Sequence, residues 1–99
     1  MTKQQEELHW YYIGTQIEIL KTLMFVFQKT KDGEHYYVNW SEDYTKQVRK
    51  ETSWNIMMQL KRIRDMERSA YLTLRRMYKE ELLEVFEVYR AFKTETKEA

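Results

Sequence analysis

The chain has 99 residues, of which 42% are hydrophobic and 33% are charged, and its 17 Lys and Arg nearly balance its 16 Asp and Glu. This length suits one small domain, and the apolar content excludes a disordered tail. The absence of cysteine excludes a disulfide framework and a thiolate metal site.

Targeting and membrane signals are missing from the sequence. Met1–Glu7 lacks the basic and then apolar pattern of a secretion signal. The longest apolar run, Leu23–Phe27, is far shorter than the roughly eighteen residues that a membrane span needs. We therefore expect a cytoplasmic protein without a membrane segment.

The N-terminal segment has the pattern of an amphipathic helix over about residues 3–29. Thr2 and Gln5 have the spacing of a capping box, which marks the start of this helix. Two neighbouring apolar stripes follow, and a helix with two stripes generally contacts at least two others. The first stripe comprises Leu8, Tyr12, Ile19, Leu23 and Val26, with Thr15 filling one place, and the second comprises Ile13, Ile17, Leu20, Met24 and Phe27. Gly14 lies inside the helix, where we expect close packing to explain it.

Residues 30–41 are expected to form an aromatic connector. Thr30–Gly33 is the only turn signal in the chain, and its Asp-Gly pair is a strong one. The favoured interpretation ends the first helix there. The alternative pairs Leu23–Gln28 with Glu34–Trp40 as a β-hairpin, although an isolated pair of strands is marginally stable.

A second helical segment is predicted over about residues 42–94. From Asn39 to Ala99 the chain contains neither glycine nor proline, which predicts long and little-interrupted helix. Ser41 is the expected N-terminal cap, and residues 95–99 are expected to fray. A single straight helix over this segment would be about 80 Å long, too long for a compact monomer whose radius of gyration should be about 13 Å.

The second segment must therefore break, or the chain must oligomerise. The candidate breaks are Thr52–Ser53 and Glu67–Ser69, and the apolar stripe rotates near residues 70–78. The predicted fold is all-α, a small helical bundle or long-helix hairpin with a long or once-broken C-terminal segment. Because the stripes are wide, we expect an oligomer such as a coiled-coil homodimer.

Patterns typical of a catalytic, cofactor or metal site are missing. Glu6 and His9 have the Glu-x-x-His spacing of di-metal helical bundles, but the other histidine, His35, has no acid three residues before it. Two glycines are too few for a phosphate-binding loop. We therefore expect no enzyme activity, cofactor or metal ion, and interpret Glu6 and His9 as a surface pair.

Charge is arranged in blocks along the chain. Residues 46–79 carry ten Lys and Arg against three Asp and Glu, and the segments on either side are net acidic. At steps of three, four and seven residues, this block predicts a basic helical ridge of Lys61, Arg64, Arg68, Arg75 and Lys79. The favoured interpretation pairs the ridge with acids of the same assembly, and the alternatives are an acidic protein partner or nucleic acid.

Aromatic residues form two clusters that predict contacts with a partner. They are Tyr36, Tyr37, Trp40 and Tyr44 around the connector, and Trp10 and Tyr11 near the chain start. Large rings bury much area at low entropic cost, so such clusters are typical of protein interfaces. We expect a non-catalytic regulator or inhibitor that binds another protein, and the composition is also typical of phage and mobile-element accessory proteins. The alternative is a nucleic-acid-binding protein that uses residues 61–79.

Overall fold

Four α-helices make up the part of the chain that the structure describes. The computed structural model describes the backbone of residues 1–31 and 41–98 and the side chains of residues 1–30 and 41–94. The helices are α1 (Lys3–Lys31), α2 (Glu42–Met66), α3 (Arg68–Met77) and α4 (Lys79–Glu98). No strand occurs among these residues, so the all-α prediction is confirmed.

Both predicted helix starts are confirmed by their caps. At α1 the Gln5 backbone N–H donates to Thr2 Oγ1 (3.2 Å), and the Thr2 N–H donates to Gln5 Oε1 (2.8 Å). At α2 the Tyr44 N–H donates to Ser41 Oγ (3.0 Å). These side chains provide acceptors for N–H groups that have no carbonyl partner within the first turn.

The boundaries of the first and last helices differ from the sequence predictions. α1 continues through Lys31, so Leu23–Gln28 is helical and the β-hairpin alternative is wrong. The connector residues Tyr36, Tyr37 and Trp40 lie outside the described residues. At the other end, the backbone of α4 is helical as far as Glu98, past the predicted end near residue 94.

The predicted break after α2 lies at Glu67. This residue has φ −156° and ψ 100°, so one extended residue separates α2 from α3. The alternative break at Thr52–Ser53 is wrong, since both residues are buried inside α2. Their hydroxyls donate to carbonyls of the same helix, Thr52 to Val48 (2.7 Å) and Ser53 to Lys50 (2.7 Å), and so need no partner outside it.

A second interruption at Tyr78 separates α3 from α4. Tyr78 has φ −112° and ψ 32°, and it falls within the region where the apolar stripe rotates in the sequence. The segment from residue 42 onward is thus three helices, one more than a once-broken segment would give. The two interruptions let a segment too long for a compact monomer fold back on itself.

α1 and α2 form an antiparallel hairpin. His9 contacts Glu67, Gln16 contacts Gln59, and Phe27 contacts Arg49. These contacts place the start of α1 beside the end of α2 and the end of α1 beside the start of α2. The molecule measures 51 × 32 × 23 Å with a radius of gyration of 15.6 Å, and its long dimension is close to the length of a helix of 29 residues, about 43 Å.

The core joins α1, α2, α3 and α4 through one buried apolar cluster. Its members are Leu20, Met24, Phe27, Ile56, Leu60, Ile63, Leu74, Leu82 and Val85. The second stripe predicted for α1 therefore faces this core, with Ile17 packed at its edge. Most of the first stripe does not, since Leu8, Tyr12 and Ile19 are exposed, but Leu23 packs against the edge of the core. Among the described residues, only the second stripe packs against other helices along most of its length.

Two residues are exposed where the sequence predicted packing. An added Cβ at Gly14 would meet no atom within 4 Å, so close packing does not explain this glycine. No other helix covers that side of α1. Met77 continues the helical spacing of Ala70 and Leu74 in the sequence but is 66% exposed, because α3 ends there and the interruption at Tyr78 turns the chain.

Candidate interaction surfaces

The outward side of α3 is a cationic surface with a leucine in it. The ten residues of α3 include no Asp or Glu. Arg68, Leu72, Arg75 and Arg76 are all exposed and share the side of the helix opposite the buried Leu74. We call these four residues the α3 surface. Leu72 is 46% exposed and has an arginine three or four residues away in both directions.

The three arginines of the α3 surface differ in how firmly they are held. Arg75 Nη1 donates to the Tyr71 hydroxyl (3.1 Å), and its guanidinium carbon lies 5.1 Å from the centre of the Phe86 ring. Arg68 and Arg76 form no ion pair with any described residue. One cation is therefore oriented by its neighbours, and two carry positive charge that no described acid offsets.

The predicted basic ridge is exposed but divided among three helices. Lys61 and Arg64 lie on α2, Arg68 and Arg75 on α3, and Lys79 begins α4. The interruptions at Glu67 and Tyr78 mean that these five residues do not line one continuous helix. Among the described residues, one ion pair involves this ridge, and it joins Arg64 Nε to its neighbour Asp65 Oδ1 (3.5 Å).

The acidic residues that were expected to offset this ridge lie at the start and middle of α4. Glu80, Glu81 and Glu87 are exposed and form no ion pair with the ridge among the described residues, and the fourth acid, Glu84, is half-buried near Arg49 of α2. The basic block does contact its acidic flank elsewhere, since Lys46 Nζ lies 3.3 Å from Glu42 Oε1. Within the ridge itself, Lys61, Arg68, Arg75 and Lys79 form no ion pair with a described acid.

The predicted aromatic contacts lie at opposite ends of the α1–α2 hairpin. Trp10 (49% exposed) and Tyr11 (70%) are near the start of α1, where His9 meets the end of α2. Tyr44 (51% exposed) is in the first turn of α2, near the other end. The edge of the His9 ring approaches Trp10 with their centres 5.6 Å apart. The structure thus does not gather these three rings into one surface.

Most of the first predicted stripe of α1 lies on the surface, although the sequence predicts that it packs against another helix. Leu8 and Tyr12 are each 56% exposed, and Ile19 is 42% exposed. Helical geometry puts these three residues roughly 120° around α1 from the buried stripe. The signal that separates the two stripes is the polar Thr15 in the first, since the buried stripe contains only apolar residues.

His9 and Glu67 form a contact that the sequence did not reveal. His9 Nε2 and Glu67 Oε2 are 3.1 Å apart, so α1 is tied to the bend between α2 and α3. The hydrogen bond with His9, followed by one from Ser69 Oγ (2.8 Å), holds the pKa of the Glu67 carboxyl below its ordinary value. The spacing of Glu6 and His9 pointed to a different partner, because contacts 58 residues apart leave no periodic signal.

A mostly apolar groove of about 350 Å³ lies between α1 and the start of α4. It is lined by Lys21, Met24, Phe25, Phe27, Gln28, Tyr78, Glu81 and Val85. Its two charged residues stand on opposite sides, Lys21 on α1 and Glu81 on α4. The groove contains no nucleophile–base pair and is best described as a gap between helices.

The described residues contain neither a cluster of metal ligands nor a helix that could span a membrane. Among the described side chains, no three His, Asp or Glu residues come together as metal ligands do. None of the described helices has an apolar stretch long enough to cross a bilayer. The chain matches no protein-family model, no curated protein and no solved structure.

Proposed function

We propose that the protein is a non-catalytic interaction protein, a small cytoplasmic regulator or inhibitor that binds an acidic surface of another protein through α3. The observation that carries this proposal is the α3 surface, in which Arg68, Arg75 and Arg76 flank the exposed Leu72. Arginine is enriched in protein interfaces and among their energetically important residues, which are surrounded by contacts that exclude water.

The energetics of the α3 surface favour a specific protein contact. Arg75 is held by Tyr71 and Phe86, so less side-chain entropy is lost when it binds a carboxylate. Arg68 and Arg76 form no ion pair with a described acid, so no ion pair has to be broken before they bind a partner. Met77, 66% exposed at the end of α3, adds an adaptable apolar contact beside the arginines.

Nucleic acid is the second candidate, supported by the same unpaired arginines. Each phosphate that they neutralise would release counterions and steepen the salt dependence of binding. Against it, α3 is only ten residues long, about 15 Å, and its central side chain is a leucine that offers nothing to a phosphate. We therefore place nucleic acid second.

The test compares the wild-type protein with Arg68→Glu/Arg76→Glu. Proteins captured by immobilised wild type are identified by mass spectrometry, and the best candidate is purified and titrated by calorimetry. We expect the double variant to weaken binding at least about 100-fold, because two attractive charges become repulsive. The matched control, Lys3→Glu/Lys93→Glu, makes the same change of charge on α1 and α4 and should leave the Kd within about twofold.

A second arm of the experiment measures fluorescence anisotropy with labelled duplex and single-stranded nucleic acid at about 50 mM salt. Absence of binding removes the nucleic-acid candidate. Binding that falls steeply with salt and is lost in Arg68→Glu/Arg76→Glu, but not in the control, overturns the protein-partner proposal. A purified partner that binds both double variants equally overturns the use of α3.

A further inference from the structure

We propose that α1 is the dimerisation helix of this protein and that its exposed stripe binds the same stripe of a second copy in antiparallel orientation. This inference goes beyond the proposed function, since it uses α1 and leaves the α3 surface free. The two proposals can therefore fail independently of each other.

The exposed stripe repeats with the period of a coiled-coil seam. Its residues follow one another at alternating steps of four and three along almost the whole helix. They are Leu8, Tyr12, Thr15, Ile19, Thr22 and Val26, which we call the outer stripe. A repeat of 3.5 residues keeps a seam on one side of a helix so that another helix can lie along it. The outer stripe therefore fits a helical partner better than a flat surface.

Burying the outer stripe in an interface should cost little desolvation free energy. It contains no charged residue. Its two threonine hydroxyls are satisfied within α1, because Thr15 Oγ1 donates to the Tyr11 carbonyl (3.1 Å) and Thr22 Oγ1 donates to the Glu18 carbonyl (3.0 Å). An unsatisfied hydroxyl would otherwise make burial costly. Leu8, Tyr12 and Ile19 provide the apolar area, with exposed fractions of 56%, 56% and 42%.

The pattern of side-chain sizes identifies a second copy as the partner. We place a two-fold axis midway between Thr15 and Ile19, with the two α1 helices antiparallel. Each larger residue then lies opposite a smaller one. The facing pairs are Tyr12 with Thr22, Ile19 with Thr15, and Leu8 with Val26. Large residues facing small ones let two helices interdigitate without voids or clashes, and a two-fold interface must be self-complementary in this way.

The residues beside the outer stripe support the same orientation. Tyr11 (70% exposed) of one copy would lie next to Phe25 (45% exposed) of the other, so two exposed rings on α1 gain an aromatic neighbour. The acidic Glu7 near the start of one α1 would lie near Lys29 of the other. In a parallel pair the Lys29 residues of the two copies would instead lie opposite each other, and their like charges would repel.

One flanking contact is unfavourable, and it provides a sharp test. Glu18 lies beside the axis, so the two copies of Glu18 approach each other in the antiparallel pair. Within one copy its carboxylate is 3.4 Å from Lys21 Nζ, and its side chain is 74% exposed, so the repulsion is screened but present. A change that removes this charge should strengthen the dimer.

The first experiment measures mass by light scattering and sedimentation at about 100 μM chain, which detects dimers with a Kd in the micromolar range. We expect a dimer for the wild type and a monomer for Tyr12→Glu/Ile19→Glu, with circular dichroism showing that the variant is still helical. The control Leu83→Glu changes a 50% exposed leucine on α4 and should leave the mass unchanged. A monomeric wild type at this concentration overturns the inference.

The second experiment reads the orientation, which the cysteine-free chain makes straightforward. Mixed Leu8→Cys and Val26→Cys chains should form a disulfide between them on oxidation, while Leu8→Cys alone should not. Efficient cross-linking of Leu8→Cys to itself would show a parallel pair and overturn the proposed arrangement.

The third experiment uses the Glu18 contact. Glu18→Gln should lower the dimer Kd about twofold at low salt, and the difference should shrink as salt is added. The control Glu87→Gln removes an exposed carboxylate of α4 and should leave the Kd unchanged. A Kd that rises in Glu18→Gln, or that falls equally in the control, contradicts the antiparallel seam.

Discussion

Gln59 of α2 donates two hydrogen bonds from its amide nitrogen to Gln16 of α1, one to the backbone carbonyl (2.9 Å) and one to Oε1 (2.7 Å). Gln59 is only 3% exposed, and its own oxygen accepts a hydrogen bond from Arg62 Nη1 (3.0 Å). A buried amide that is satisfied on both sides fixes the register of the two helices, because a shift along α2 would leave it unpaired.

We therefore expect Gln59→Ala to lower the free energy of unfolding by about 2–3 kcal/mol, from two lost hydrogen bonds and the void left behind. Gln59→Leu should cost less, because it fills the space. Urea unfolding followed by circular dichroism measures both. Gln47→Ala removes an exposed glutamine bonded to Glu51 and should cost under about 0.5 kcal/mol. A loss at Gln59→Ala no larger than this control would contradict the register role.

The contact between His9 and Glu67 makes stability depend on pH in the acid range. The folded state holds the pKa of Glu67 below its ordinary value, chiefly through the hydrogen bond with His9. The stabilising contribution is therefore present above that ordinary value and is lost as the pH falls through the lower folded-state pKa. Glu67→Gln should lower the Tm at pH 7 and reduce the loss of stability between neutral and acid pH.

Thermal unfolding of wild type and Glu67→Gln from neutral to acid pH measures this effect. The matched control is Glu87→Gln, which removes an exposed carboxylate in the middle of α4. Parallel curves for wild type and Glu67→Gln would show that the contact does not contribute. The second partner of Glu67, Ser69 Oγ (2.8 Å), is tested in the same way with Ser69→Ala, for which a smaller effect in the same direction is expected.

The helices could be predicted from the sequence largely because their starts are local. Thr2 and Ser41 mark α1 and α2 by hydrogen bonds that span three residues, so their signals lie in adjacent sequence. The break at Glu67 was one of two candidates, and the choice depended on burial. Thr52 and Ser53 are polar in sequence but are covered by neighbouring helices, which a single sequence does not reveal.

The surfaces were less predictable than the helices. Both stripes of α1 have helical period, and nothing in their spacing says that one faces the core and the other faces water. The basic ridge was identified by residue, but its division at Tyr78 depends on a backbone conformation that no glycine or proline announces. The exposure of Leu72 has no signal in the sequence, because it follows from the packing of α3 through Leu74, which leaves Leu72 on the outward side.

Gly14 is a site where a single substitution should stabilise the protein without a steric clash. It is helical, and an added methyl group would meet nothing within 4 Å. Gly14→Ala should therefore raise the free energy of unfolding by about 0.5–1 kcal/mol, because alanine restricts the unfolded chain and favours helix. Thermal unfolding should show a Tm higher by roughly 2–8 °C. The reverse change at an exposed alanine of α4, Ala91→Gly, should lower the Tm, and a lower Tm for Gly14→Ala would contradict the open environment.

Arg49 fastens α2 to the last turns of α1 through an aromatic contact. Its guanidinium carbon lies 4.2 Å from the centre of the Phe27 ring, and Nη1 donates a long hydrogen bond to the Phe27 carbonyl (3.5 Å). Burial lowers the pKa of Arg49, and the nearby Glu84 opposes that shift. Arginine stays charged in spite of this shift, so the stacked cation persists at neutral pH.

Arg49→Ala should cost about 1–2 kcal/mol of unfolding free energy, through the lost cation–π contact and the lost packing of the side-chain stem. Arg49→Lys keeps the charge but not the planar stack, so it should recover only part of this loss. A double-mutant cycle with Phe27→Leu should give a coupling of about 0.5–1 kcal/mol. The control Lys46→Ala breaks an exposed ion pair with Glu42 (3.3 Å) and should cost under about 0.5 kcal/mol. Full recovery by Arg49→Lys, or a coupling near zero, would assign the effect of Arg49 to charge rather than to its contact with Phe27.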